Sequence, residues 1–159
     1  MARRVFFSFH HAGDVWRAGQ VRNSWVTQDR ESAGFWDAAA WEEVQKKGDA
    51  AIHKWIDDQM VGTSVTVVLI GSKTSQRPHV LYEISQSHIL KKGMLGVYVH
   101  DMKDASGNTT AAGANPFTQL TFKDSSGNVV TYPTYDWVTG DGRTNLGAWI
   151  EAAAKRAGR

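Results

Sequence analysis

The 159-residue chain contains no cysteine, so it can form neither a disulfide nor a cysteine-based zinc site. That absence suits a reducing compartment. Strong charge of one sign is lacking too: 18 Lys and Arg stand against 16 Asp and Glu, a formal net charge of +2. The basic residues are interleaved with acids apart from short pairs such as Arg3-Arg4 and Lys155-Arg156 at the two ends. Nucleic-acid binders usually show a basic face, so no nucleic-acid partner is expected. No stretch approaches the roughly 18 apolar residues of a membrane span. Met1 to Phe9 has the charge of a signal peptide, but its apolar run of about five residues is short of the roughly 7–15 needed. A soluble, cytoplasmic protein with no membrane partner is therefore the expectation.

Several catalytic signatures are also missing. There is no Gly-x-Gly-x-x-Gly after the first strand, no Gly-x-x-x-x-Gly-Lys-Ser/Thr and no Gly-x-Ser-x-Gly. A receiver domain would need an aspartate at the end of the central strand, where this chain has Gly71 or Ser72. No internal repeat is evident.

What is present is globular: 42% apolar and 21% charged residues, in a length that fits one domain over residues 1–159. Val5 to Phe9 reads as a central strand, with Asp14 placed to cap the segment that follows. Val15, Trp16, Ala18, Val21, Trp25 and Val26 recur near helical spacing. Gly34 to Asp37 is a candidate edge strand. Trp41 to Met60 reads as helical with a break at Gly48-Asp49, Asp49 restarting it as an N-cap, and Ile52, Trp55, Ile56 and Met60 form its apolar stripe.

Ser64 to Ile70 is mostly β-branched and uninterrupted, as strands covered on both faces are. It runs through Gly71-Ser72-Lys73-Thr74-Ser75 into a helix that starts near Pro78. That helix is expected to reach Lys92, with Gly93 as its C-terminal glycine. Met94 to Val99 follows as a strand. Such alternation implies parallel β-α-β units with right-handed crossovers. Asp101 to Thr134 then breaks the pattern: it is polar and rich in Gly, Ser, Asn and Thr. It reads as an excursion bearing a small hairpin turned at Ser125 to Asn128, offering little to a core beyond an anchor at Asn115-Pro116-Phe117. Tyr135 to Val138 and Asn145 to Arg159 supply a last strand and helix.

Polar groups fall at or beyond strand ends: Ser8-His10-His11, Asp37, Ser72 to Ser75, and His100-Asp101, with Glu83 on the helix after the central strand. In open α/β sheets ligands bind beyond the carboxyl ends of the strands, which makes this rim the candidate site. A metal pair at His10 and His11 is not expected, because adjacent strand residues point to opposite faces. From spacing alone the reading stops at an α/β domain with a carboxylate-bearing cleft.

These residues resemble the TIR-like proteins of bacterial Thoeris anti-phage systems, a branch of the Toll/interleukin-receptor domain superfamily. The matching stretches run from Arg4-Val5-Phe6-Phe7-Ser8-Phe9-His10 and Val21-Arg22-Asn23-Ser24-Trp25-Val26 through Asp37-Ala38 with Trp41-Glu42. They continue with Thr63 to Thr66, Val68 to Ser72, Tyr82-Glu83-Ile84, Asn115-Pro116-Phe117, and Tyr135 to Val138 with Asp141-Gly142. The resemblance implies a flavodoxin-like, three-layer fold with a mostly parallel central sheet.

It also implies cleavage of NAD, as substrate and with no cofactor, at the nicotinamide–ribose bond. The product would be an ADP-ribose derivative, typically a cyclic isomer, that acts as second messenger for a separate effector protein. The family's catalytic glutamate falls on Glu83, and many relatives assemble as homo-oligomers that complete the site between subunits. Where tryptophan often stands four residues before that glutamate, this chain has His79, which bears on the packing behind the carboxylate. Ser8, Phe9, His10, Asp37, Trp41, Ser72 and His79 are the expected substrate-binding residues, with Phe9, His10 and Trp41 as stacking surfaces. Two other functions fit less of the pattern: a non-catalytic TIR interaction module, and a nucleoside 2-deoxyribosyltransferase-like enzyme, which also places a glutamate near a ribosyl carbon.

Overall fold

A computed structural model describes residues 4–26, 32–33 and 43–159. Five parallel strands, β1 (Val5–Ser8), β2 (Ser32–Ala33), β3 (Val65–Ile70), β4 (Gly93–Tyr98) and β7 (Thr134–Asp136), form the sheet in the order β2-β1-β3-β4-β7. A separate antiparallel hairpin pairs β5 (Phe122–Lys123) with β6 (Val129–Val130). With the hairpin set aside, this is the 2-1-3-4-5 order of flavodoxin-like folds, whose switch point lies between β1 and β3.

Helices α1 (His11–Val26), α2 (Asp49–Met60), α3 (Pro78–Ile89) and α4 (Gly142–Arg156) complete three layers. The strand pleat sorts the core. Val5, Phe7 and Phe9 point to the face covered by α1 and α4, where they meet Ala18, Val21, Leu146 and Ile150. Phe6 points the other way, to Ile56 and Met60 of α2, and Val68 and Ile70 meet Val80 and Ile84 of α3. Every residue of β3 is buried, as its unbroken β-branched run implies.

The structure moves several boundaries. Helix α1 starts at His11, with the Asp14 amide donating to the His10 carbonyl, so Asp14 lies inside the first turn rather than capping it. Residues 43–46 are helical, and the N-cap of α2 is Gly48 at φ 93°, with Asp49 in the first turn. The strand expected at 34–37 lies outside the described residues, and the edge strand seen is β2. Helix α3 ends at Ile89, and Lys91 adopts the left-handed conformation (φ 56°) that a C-terminal glycine would have taken. Gly93 instead opens β4, because a Cβ there would lie 2.8 Å from the Ala153 carbonyl carbon of α4. Strand β7 stops at Asp136, whose Oδ1 accepts from the amides of Val138 and Thr139 and turns the chain.

The polar excursion also contributes more to the core than its composition suggests. Phe117 anchors it as expected, behind an Asn115 side chain that accepts from the Phe117 amide. Phe122 and Met102 are buried as well. None of the helices among the described residues is long and apolar enough to cross a membrane.

Candidate active site at the β1/β3 switch point

Ser8 ends β1 on the face opposite Phe7 and Phe9, and that alternation aims its hydroxyl at α3. Glu83, in the second turn of α3, meets it: Ser8 Oγ donates to Glu83 Oε1 at 2.8 Å, and both residues are buried. Burial pushes the Glu83 carboxyl well above the usual carboxylate range, and the Ser8 hydrogen bond only partly opposes this. Burial thus disfavours the charged form of the carboxyl at this edge of the sheet, and a cation close by would favour it.

Around it the expected residues take different places. His10 is buried against the start of α1, where a Cβ on Gly13 would come within 2.8 Å of its Nδ1. His79 Nε2 lies 3.1 Å from the Phe9 carbonyl, and since a carbonyl only accepts, Nε2 carries the hydrogen. Burial, followed by the charges of Arg77 and Lys73, holds His10 below the usual imidazole range. His79 is lowered by burial against the opposing pull of the Phe9 hydrogen bond, with His10 and Arg77 adding to the lowering. His79 thus pins the end of β1 to α3 through a hydrogen bond.

Phe9 requires a correction. Its ring is 1% exposed within the core under α1, so its backbone carbonyl faces the site while its π-face does not. Ser72 is half-buried just past β3, and its carbonyl group lies against Gly113, where an added Cβ would come within 2.9 Å of it. Thr74 of the same turn is structural: its hydroxyl accepts from the Gly71 amide at 2.8 Å. Asp37 and Trp41 lie outside the described residues. The structure brings Ser8, Glu83, His10 and His79 to one rim, with Ser72 on the neighbouring strand end.

Other groups at this edge escaped the reading of the sequence. Arg17, 1% exposed, donates to Asp14 Oδ1 at 3.0 Å, to the Met102 carbonyl at 2.8 Å and to the Asn108 carbonyl at 2.9 Å. It clamps the segment after β4 onto α1. Asp14 packs so closely on the end of β3 that a Cβ on Gly71 would lie 2.0 Å from its Oδ2. Desolvation raises the Asp14 pKa despite the pairing with Arg17. The one signal in the sequence was the i, i+3 spacing of the two residues on one helix face. Lys73 and Arg77 bring cations to the rim, and the buried Arg77 Nε has no hydrogen-bond partner.

Beyond β4 and β7, His100, Asp101 and Asp136 bring three possible metal-ligand atoms within 4.8 Å of one another. All three groups are already engaged: His100 Nε2 faces Asp101 at 3.5 Å, and Asp136 holds the turn after β7.

A parallel 2-1-3-4-5 sheet with a buried glutamate at its switch point defines a TIR-like α/β domain. Residues 6–104 match the family model of the Thoeris protein ThsB, TIR-like domain. A protein of Bacillus cereus (strain MSX-D12), named "Putative cyclic ADP-D-ribose synthase ThsB1", is 41% identical over 144 residues, covering 88% of this chain and 73% of that protein. The chain belongs to the Thoeris ThsB TIR-like family.

Proposed function

We propose that this chain cleaves NAD at the nicotinamide–ribose bond and closes the ADP-ribose part into a cyclic ADP-ribose-type messenger, with Glu83 as the catalytic carboxylate. The observation that carries the reading is the buried Glu83–Ser8 pair at the switch point of a chain 41% identical to a protein named as a cyclic ADP-D-ribose synthase.

The chemistry follows from charge. As the glycosidic C–N bond breaks, its electron pair moves onto the nicotinamide nitrogen and cancels the ring's positive charge. The leaving group departs neutral, so no general acid is needed, and two neutral imidazoles at the rim fit that requirement. Positive charge develops instead on the ribose carbon and ring oxygen. Glu83 acts as its carboxylate: burial disfavours that ionised form, and the cationic nicotinamide, an opposite charge nearby, favours it. In a dry site that anion attracts the oxocarbenium-like centre more strongly than it would in water. Ser8 holds the carboxylate in place. The adenosine part then folds back and attacks the same carbon, and excluding water from the site favours ring closure over hydrolysis.

NAD serves here as substrate, and the reaction calls for no further cofactor. The cyclic product would act on a separate effector protein, and the single domain would work within a homo-oligomer in the cytoplasm. Incubation with NAD or with a deoxynucleoside, read by mass spectrometry in lysate from phage-challenged cells, tests the reading. Nicotinamide and a cyclic ADP-ribose isomer are expected. Base exchange on the deoxynucleoside would point to a deoxyribosyltransferase, and no turnover of either substrate to an interaction module.

A further inference from the structure

A cavity of about 610 Å³ opens at the other end of the sheet. Its floor is Gly93 and Met94, the start of β4, and one wall is Ala153 of α4 with Ala157, the residue that caps its end. Tyr132, following the hairpin, forms the opposite wall. Through Val68, Ser8 is in register with Gly96, so the cavity floor at Gly93 lies three residues, about 10 Å along the strands, from the level of the Ser8–Glu83 pair. Its volume lies in the range of sites for small organic ligands.

The walls are held open by specific contacts. The Lys123 carbonyl accepts from His88 Nε2 at 2.9 Å, so the hydrogen of this imidazole is on Nε2 and Nδ1 is free to accept from the Tyr132 hydroxyl, 2.5 Å away. Tyr132 also packs edge-on to Phe122, ring centres 5.2 Å apart. These contacts brace an aromatic wall against the end of α3. Gly93 lets α4 sit directly on the strand to form the facing one.

Three cations surround this mostly apolar space: Lys91, Lys123 and Arg156, all exposed and none ion-paired among the described residues. Lys92 is different. Its ammonium donates to the carbonyls of Met60 and Thr63 and to the Thr63 hydroxyl, and burial lowers its pKa to about 8, so it braces the floor. Among the described residues the lining has one carboxylate, Asp124, whose Oδ1 accepts from the amides of Ser126 and Asn128. Lys91 carries a further signal. Its left-handed backbone conformation (φ 56°) is held in part by Arg159, which donates to the Lys91 and Leu90 carbonyls, and places it at the mouth.

We propose that this cavity is a second binding site, distinct from the Glu83 rim, for a small organic anion in which a flat ring is joined through a sugar to one or two phosphates: a nucleotide. Lys91, Lys123 and Arg156 take the phosphates, and the ring lies between Tyr132 and the alanine face of α4. A flat ring fills the apolar part of the space, and phosphates match three unpaired cations facing one occupied acid.

ADP, which has no nicotinamide–ribose bond to cleave, is the probe, and the observable is the amide resonances of the isotopically labelled protein. Saturable shifts are expected at Lys91 to Met94, Val130 to Tyr132 and Ala153 to Ala157. The exposed Lys123→Glu and Arg156→Glu substitutions should each weaken that binding about tenfold, a factor equivalent to about 1.4 kcal/mol. ADP shifts confined to the rim around Ser8 and His79, or no shifts at all, would overturn the proposal. So would cavity binding that is indifferent to the charge reversals, or ribose 5-phosphate binding as tightly as ADP.

Discussion

Replacing Glu83 by glutamine separates the side chain's charge from its shape, and the buried position makes the effect on stability specific in sign. In the folded chain the carboxyl is buried and its pKa is raised well above the ordinary value. In the unfolded chain it titrates near the ordinary glutamate value of about 4.3. Between those two values the folded state keeps a proton that the unfolded state has released. Stability then falls as pH rises, by about 1.4 kcal/mol per pH unit. The contribution is fully present below the unfolded pKa and is lost as pH rises through the folded one. Glutamine does not titrate, and its amide oxygen can still accept from Ser8 Oγ. The variant should therefore match wild type in acid, gain relative stability across the window, and hold a constant advantage above it. Urea unfolding at a series of pH values, followed through the chain's seven tryptophans, measures the difference. A difference that does not change with pH would refute the reasoning, because it would mean that Glu83 ionises as freely in the folded chain as in the unfolded one.

Ser8→Ala removes the hydrogen bond that lowers the Glu83 pKa, so the acid limb of the kcat/KM profile should move to higher pH; an unmoved limb would show that Ser8 does not touch the working carboxylate. Arg17→Ala leaves Asp14 buried without its cation and frees the segment at Met102 and Asn108, so urea unfolding should show a loss of about 3–5 kcal/mol. Phe117→Ala empties a site that is 7% exposed, where the ring packs on Phe122 and Tyr132, and should destabilise by about 3–5 kcal/mol in the same assay. Near-wild-type stability in either variant would mean that its contacts contribute little.

The alternation of strand and helix was legible because β3 and β4 are buried on both faces and β-branched or apolar throughout, a pattern that requires helices above and below. Ser8 and Glu83 could be read as neighbours because strand ends of a doubly wound sheet converge on one rim. The face on which each residue points was harder to read. Phe9 looked like a stacking surface, yet the pleat that sends Ser8 to α3 sends Phe9 into the core. Gly93 resembled a helix stop, but its role comes from α4, more than fifty residues later, pressing on the strand. Lys91, rather than a glycine, takes the left-handed position because local propensity does not bind when other contacts fix the turn. Arg159 supplies some of those contacts by donating to the carbonyls of Leu90 and Lys91. Phe122, in a short hairpin strand, gave no periodic signal, and its burial depends on meeting Phe117 and Tyr132 in three dimensions.

The most direct test of the central claim compares wild type with Glu83→Gln in cells under phage challenge, with nicotinamide release and ADP-ribose isomers followed by mass spectrometry. Wild type should consume NAD and accumulate a cyclic isomer. The variant, folded and present at the same level, should form neither product above background. Product formation by Glu83→Gln at a rate near wild type would contradict the assignment of the carboxylate, and with it the account of how this rim cleaves NAD.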